Sequence, residues 1–302
     1  MDWMLDREIR KEMPNEWGSI VPTRVFMQEA ENLVEQARNR DIVLRVVGGL
    51  GIALKCKAFR EFGIRLGRAG TGVAQGQEYS DIDLVSYKKF RDRVKSFFND
   101  LGYAKRRATL SSAASERQIY YHPKAWFYVD VFFDKLLVAN HPVDFTGRLE
   151  LDYPTVTSTD FLLEKIQMWE AFSAKDLKDC LLLLKSCPVQ NKDELDSEYI
   201  AKLLAQDWGF WYTATMNLKK IHGFIAELDK YGVEAGIDPT QISIDDRKEI
   251  SGKIENILRS IDDEPKTFGW KMRAKIGDKK KWYSPVERPD TVGGFGIWEA
   301  IK

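Results

Sequence analysis

Val46-Val47-Gly48-Gly49-Leu50-Gly51 closes a β-branched run that starts at Ile42, and a helical pattern resumes from Ile52 to Phe59. The order strand, tight turn, helix puts Gly48 and Gly49 at a helix N-terminus, where backbone amides and the helix dipole favour a bound phosphate. Further on come Ser80-Asp81-Ile82-Asp83-Leu84-Val85 and then Tyr128-Val129-Asp130-Val131-Phe132-Phe133. Side chains two apart in a strand share a face, so Asp81 and Asp83 point one way while Ile82 and Leu84 point into the core. Two parallel carboxylates repel unless a cation lies between them, and hard oxygen donors at this spacing suit Mg²⁺ or Mn²⁺. A third carboxylate on a neighbouring strand would let two ions sit about 3.5–4 Å apart for in-line phosphoryl displacement. Asp130 is the candidate, because a charge inside an apolar run is costly unless paired or metal-bound. Asp134, four residues on and read on the same strand face, is a weaker substitute.

Around this frame, apolar positions at helical spacing run from Thr23 to Arg40 (Val25, Phe26, Ala30, Leu33, Val34, Ala37). Strands are expected over Asp81 to Ser86, Gln118 to Tyr121 and Trp126 to Phe133, with a helix over Lys88 to Leu101. Arg60 to Gln77, rich in Gly and Arg, reads as an irregular loop. The period turns helical over Thr157 to Lys185, Glu198 to Leu228 and Asp245 to Ile261, with a break at Tyr231 to Pro239. The fold class expected is α/β: a mixed sheet with flanking helices, then a mostly α-helical domain closing one side of a cleft. The divisions are a first domain over 1–150, a helical domain over 151–262 and a basic aromatic tail over 263–302.

The chain has 302 residues, 44% of them hydrophobic and 30% charged, which describes an ordinary globular protein large enough for two domains. Forty-six basic side chains balance forty-six acidic ones, so any contact with a polyanion must come from a local patch. Cys56, Cys180 and Cys187 are odd in number and form no C-x-x-C pair, which argues against a disulfide framework or a thiolate zinc site. The acidic N-terminus is unlike a signal peptide, and no apolar stretch is long enough to span a bilayer; a cytoplasmic protein with no membrane partner is expected. No G-x-x-x-x-G-K-[ST], H-E-x-x-H or G-x-S-x-G occurs, Leu54 stands where a dinucleotide fingerprint needs its third glycine, and His122, His141 and His222 lack metal-ligand spacing.

The series Gly48-Gly49, Asp81-Ile82-Asp83, Asp130 resembles the nucleotidyltransferase fold of the polymerase-β type. Leu162-Leu163-Glu164-Lys165-Ile166-Gln167-Met168-Trp169, followed by Lys175-Asp176-Leu177-Lys178-Asp179, is similar more narrowly to the helices of AbiEii/AbiGii toxin-type nucleotidyltransferases. The resemblance covers roughly residues 40 to 185. It implies an enzyme that moves an NMP from an NTP to an acceptor hydroxyl, tRNA or another RNA being favoured, in a toxin–antitoxin setting with an antitoxin protein as partner. By position it implies Gly48 and Gly49 at the triphosphate, Asp81, Asp83 and Asp130 as ligands of Mg²⁺ or Mn²⁺, Lys165 on the nucleotide phosphates and Asp176 lining the site. On one continuous helix, at roughly 100° per residue, positions 165 and 176 return to nearly one face. Ser173-x-x-Asp176 reads equally as a capping box, and Lys165 as a solvated face residue.

Members of this fold commonly have a much shorter link between the glycine turn and the paired acids. Here Arg60 to Glu78, with Arg60, Arg65 and Arg68, reads both as a basic flap over a triphosphate or acceptor and as a solvated insertion. In the tail, Trp270, Lys271, Arg273, Lys275, Lys279 to Lys281 and Trp282 interleave cations with aromatics, a composition suited to RNA. Packing of these aromatics on their own domain is the favoured reading. Other acceptors, a small molecule or a protein side chain, fit the same chemistry. Two non-catalytic alternatives remain: an NTP-binding or interaction module of the same fold, and an RNA-binding structural protein.

Overall fold

The computed structural model describes residues 13–18, 20–68, 78–106, 117–137, 140–170, 172–187 and 195–285. In chain order, α1 (Thr23–Arg38) leads into β1 (Leu44–Val46), α2 (Gly48–Lys55) and α3 (Arg60–Arg65). Next come β2 (Asp81–Ser86), α4 (Arg91–Asp100), β3 (Ala104–Lys105), β4 (Gln118–Tyr121), β5 (Tyr128–Phe133), β6 (Lys135–Leu136) and β7 (Val143–Asp144). The rest is helical: α5 (Ser158–Ile166), α6 (Ala174–Ser186), α7 (Ser197–Leu204), α8 (Trp208–Ala226), α9 (Leu228–Tyr231), α10 (Ile244–Asp263) and α11 (Phe268–Ala274). The described residues fall into two compact units, one within 1–55, 69–136 and 144–156, the other within 56–68, 137–143 and 157–302.

The first unit is built on a mixed sheet of order β1-β2-β5-β4-β3. β1 runs antiparallel to β2, β2 parallel to β5, and β5 antiparallel to β4. The parallel pair needs a crossover, and α4 lies in the chain between its two strands. Alternation sets the faces: Ile82 and Leu84 of β2 lie opposite Val129 and Val131 of β5. These four join Phe26, Leu33 and Val34 of α1 and Phe97 and Phe98 of α4 in one core. Each such side chain contributes roughly 2 kcal/mol by leaving water. With that face committed to packing, odd-numbered positions of β2 carry their side chains to the other side. The α/β class is as expected.

The second unit, among its described residues, is helical. Each major helix starts at a Ser, Thr or Asp whose side chain accepts a first-turn amide: Thr157 for α5, Ser173 for α6, Asp196 for α7, Asp207 for α8, Ser243 for α10 and Thr267 for α11. Ile250, Ile254, Ile257 and Ile261 form a fully buried stripe on α10, which packs on α6, α7 and α8. The described part of the tail packs on this unit. Trp282 meets Tyr212 at 4.9 Å and Trp169 at 5.1 Å between ring centroids, and its indole Nε1 donates to Thr213 Oγ1 at 3.1 Å. Gly209 makes room for it, since a Cβ there would stand 2.5 Å from the Trp282 carbonyl.

Three sequence expectations need correction. Residues Arg60 to Arg65, read as loop, form α3, with Phe62 and Gly63 buried. Gly63 of α3 lies beside Leu182 of α6, where a Cβ would make ordinary van der Waals contact at 3.6 Å. Positions 69–77 of the same expected loop lie outside the described residues. The helical run Thr157 to Lys185 is two helices, because the Ser173 capping box starts a new one. Asp134 is not on the strand face: it sits past the end of β5 at φ +60°, and its carboxylate accepts the Lys88 amide at 3.0 Å.

Candidate functional site

In the first unit, β1 delivers the chain into Gly48 beside β2, where the Val47 amide donates to the Asp83 carbonyl at 2.9 Å. Gly48 has φ +70°, a conformation that L side chains rarely adopt. A Cβ there would stand 2.6 Å from Asp83 Oδ2, so the glycine is required both by its backbone and by the carboxylate packed against it. The turn therefore opens α2 directly against the second acid of the Asp81-Ile82-Asp83 pair. Asp83 is the register partner of Asp130 across the parallel pair β2–β5, so both side chains leave the sheet on one face, from strands about 4.8 Å apart. Asp81 shares that face by alternation and accepts from Ser80 Oγ at 2.9 Å. Gly48, Asp81, Asp83 and Asp130 are thus gathered at one end of one sheet face, with Gly49 next in the turn.

Asp130 is 7% exposed and ion-pairs with Arg117, whose Nη1 donates to its Oδ2 at 3.1 Å. Sequence reasoning did not find Arg117. The signal was present: an acid in an apolar run needs a cation, and Arg117 immediately precedes β4, whose Ile119 is the register partner of Asp130. Among the described residues, no three His, Cys, Asp or Glu side chains converge as a group able to hold a metal ion. Two hard carboxylates on alternate β2 positions, with a third on the adjacent strand, are still the donor chemistry that suits Mg²⁺ or Mn²⁺. The fit lies in the identity and face of the donors, with the Asp130 carboxylate turned to Arg117.

Lys165 and Asp176 belong to the second unit. They meet across the break between α5 and α6, from the last turn of one helix and the first of the next, and not along one helix face. Lys165 Nζ lies 2.9 Å from Asp176 Oδ1 and 3.1 Å from Asp179 Oδ2, and Arg68 Nε donates to the other oxygen of Asp179. Asp176 also completes the capping box with Ser173, so the capping reading holds beside the ion pair. Burial opposes the Lys165 charge, but Asp176, Asp179 and Glu164 outweigh it and hold the ammonium well above the usual lysine range. Burial likewise works against the Asp176 carboxylate, yet Lys165 and Ser173 keep it below the usual aspartate range. Lys178 Nζ donates to the carbonyls of Gly67 and Gly236 at 3.0 and 3.1 Å, binding the turn after α3 to the one before Pro239. Arg68, read with Arg60 and Arg65 as a basic flap or a solvated insertion, is instead buried against Asp179, and Lys178 was not singled out as a cation because its partners are remote in the chain.

No protein-family model matches the chain, and comparison with curated proteins and with solved structures finds no significant match.

Proposed function

We propose that this protein is a metal-dependent nucleotidyltransferase of the polymerase-β-type fold, moving an NMP from an NTP to an acceptor hydroxyl, with RNA or tRNA the favoured acceptor. The observation that carries the proposal is the contact of Gly48 with Asp83, beside the register pairing of Asp83 with Asp130. A helix N-terminus favours an anion, whereas paired carboxylates favour a cation. Opposite preferences this close are reconciled by a ligand that brings both, such as a nucleoside triphosphate with its divalent ion.

Asp81 and Asp83 would hold Mg²⁺ or Mn²⁺, with Asp130 as third acid; when bound, the ion would withdraw charge from the phosphate oxygens. The Gly48-Gly49 turn would carry the triphosphate against the start of α2. In the reaction the acceptor hydroxyl would give up its proton, with Asp130 helping to take it, as its oxygen bonds to the α-phosphorus, the bond to the bridging oxygen breaks and pyrophosphate leaves. Positioning and charge stabilisation dominate such a transfer.

The test is transfer of α-phosphate label from each NTP, with Mg²⁺ or Mn²⁺, into RNA, protein and small hydroxylated acceptors, with Asp81→Asn and Asp83→Asn alongside. Label entering one pool and falling on the order of a hundred- to a thousandfold in both variants supports the reading and names the acceptor class. Transfer that survives both substitutions in well-folded protein sinks it.

A further inference from the structure

Helix α11, the last α-helix among the described residues, and the turn after it carry an apolar ridge that the described residues leave uncovered. Phe268 is 79% exposed, and Met272 and Ile276 are 45% exposed each. Spaced four apart, they line one side of the helix and its last turn. Lys271, Lys275 and Lys279 repeat at the same spacing beside them, and all three are exposed. Between Lys266 and Lys281 the chain has six lysines and Arg273 against a single acid, Asp278, in a protein whose formal charge is zero. The local field therefore selects an anionic partner, and the apolar ridge selects one that also offers hydrocarbon.

The inward side of the same helix is already occupied. Trp270 packs edge-on against Trp211 at 4.9 Å, and the Arg273 guanidinium lies 4.5 Å over the Trp208 ring. The indoles that would stack on unpaired bases are thus engaged in the protein's own packing. What faces outward is one phenyl ring and two aliphatic side chains. Met272 and Ile276 have no π-face to offer a base, Phe268 offers one ring and no platform for successive bases, and removal from water is the gain open to all three. A second copy of this chain would set lysines against lysines.

We propose that α11 and its following turn form an interfacial anchor that lays Phe268, Met272 and Ile276 into an anionic lipid surface. The three lysines would extend their apolar stems along the ridge and leave their ammonium groups among the headgroup phosphates. Lying on a bilayer needs no spanning helix, and among the described residues no helix is long and apolar enough to span one. A single short anchor of this kind gives reversible attachment that weakens with salt. The inference stands apart from the proposed nucleotidyl transfer.

The test is co-sedimentation of the full chain with vesicles of phosphatidylcholine plus phosphatidylglycerol and with vesicles of phosphatidylcholine alone. Single-stranded RNA binding is measured in parallel. Binding to the anionic vesicles alone is expected, weakening by roughly fivefold for each of Lys271→Gln, Lys275→Gln and Lys279→Gln. It is also expected to vanish in Phe268→Ser/Met272→Ser/Ile276→Ser. All six side chains are exposed, so the variants should keep the fold, which circular dichroism checks. No anionic-vesicle binding, equal binding to neutral vesicles, or binding indifferent to the serine triple would overturn the proposal. So would RNA binding through the same lysines with no vesicle binding.

Discussion

Replacing Gly48 by alanine tests how the glycine turn and the second acid depend on each other. Two costs can be worked from the structure. An L residue at φ +70° pays roughly 1–2 kcal/mol for the left-handed conformation. The new methyl group would then stand 2.6 Å from Asp83 Oδ2 and 3.3 Å from Asp83 Cβ. The Asp83 backbone is fixed by its β-ladder and by the Val47 amide, so the carboxylate must rotate away, at about 0.5–1.5 kcal/mol for an off-rotamer side chain. A loss of about 2–3 kcal/mol follows, lowering the melting temperature by about 5–10 °C for a unit of this size. In an Asp83→Ala background the carboxylate is gone and, beside the 3.3 Å approach of the two Cβ atoms, the conformational cost remains, so the two substitutions should couple by about 1 kcal/mol. Urea denaturation of wild type, both single variants and the double variant measures that coupling, and label transfer by Gly48→Ala should fall as in Asp83→Asn. Equal destabilisation by Gly48→Ala in both backgrounds would refute the contact as the reason for the glycine, and full stability would refute the strained turn as well.

Two further outcomes concern the second unit. His141 is buried, its Nε2 lies 2.9 Å from Thr213 Oγ1, and burial pushes its pKa down to about 4. The unfolded chain therefore binds a proton between pH 6.5 and about 4 that the folded one does not, so stability should drop by about 3 kcal/mol as pH falls through that window. Urea midpoints against pH should show this slope flattened in His141→Gln; an unchanged slope assigns it elsewhere. Lys165→Met strips the ammonium from Asp176 and Asp179, while Arg68 stays paired with Asp179. A loss of about 3 kcal/mol at neutral pH is expected in urea denaturation, and a loss below 1 kcal/mol would show that the cluster is not holding α5 to α6.

Much of the first unit was legible because short-range patterns specify it. The alternation in Asp81 to Ser86 gives the strand and both of its faces, and β-branched residues running into Gly48-Gly49 give the strand–turn–helix. The helix over Thr23 to Arg38 follows from Phe26, Ala30, Leu33, Val34 and Ala37, all of them buried. What the sequence hid depends on partners far along the chain. Gly67 reads as loose loop until Gly236 is seen with its carbonyl 2.5 Å from where a Cβ of residue 67 would be. Lys165 and Asp176 were expected together for a geometric reason that fails, since no single helix carries both. They meet because the Ser173 capping box ends one direction of the chain and starts another.

Asp130 shows most clearly where a sequence argument stops. An acid among Tyr128, Val129, Val131 and Phe132 implies a cation close by, but nothing in that stretch says whether the cation is an ion or a side chain. Arg117 is one such cation in this structure, held beside Asp130 by the register of β4 on β5. A fixed guanidinium and a divalent ion answer the same electrostatic need, so the pairing explains how the acid is kept in the sheet without bearing on whether an ion also uses it. The neighbouring acids carry the sharper argument. Asp83 is packed against a glycine that no other residue could replace without displacing its carboxylate, so a side chain at position 48 is excluded twice, by the φ of +70° and by the Asp83 carboxylate beside it.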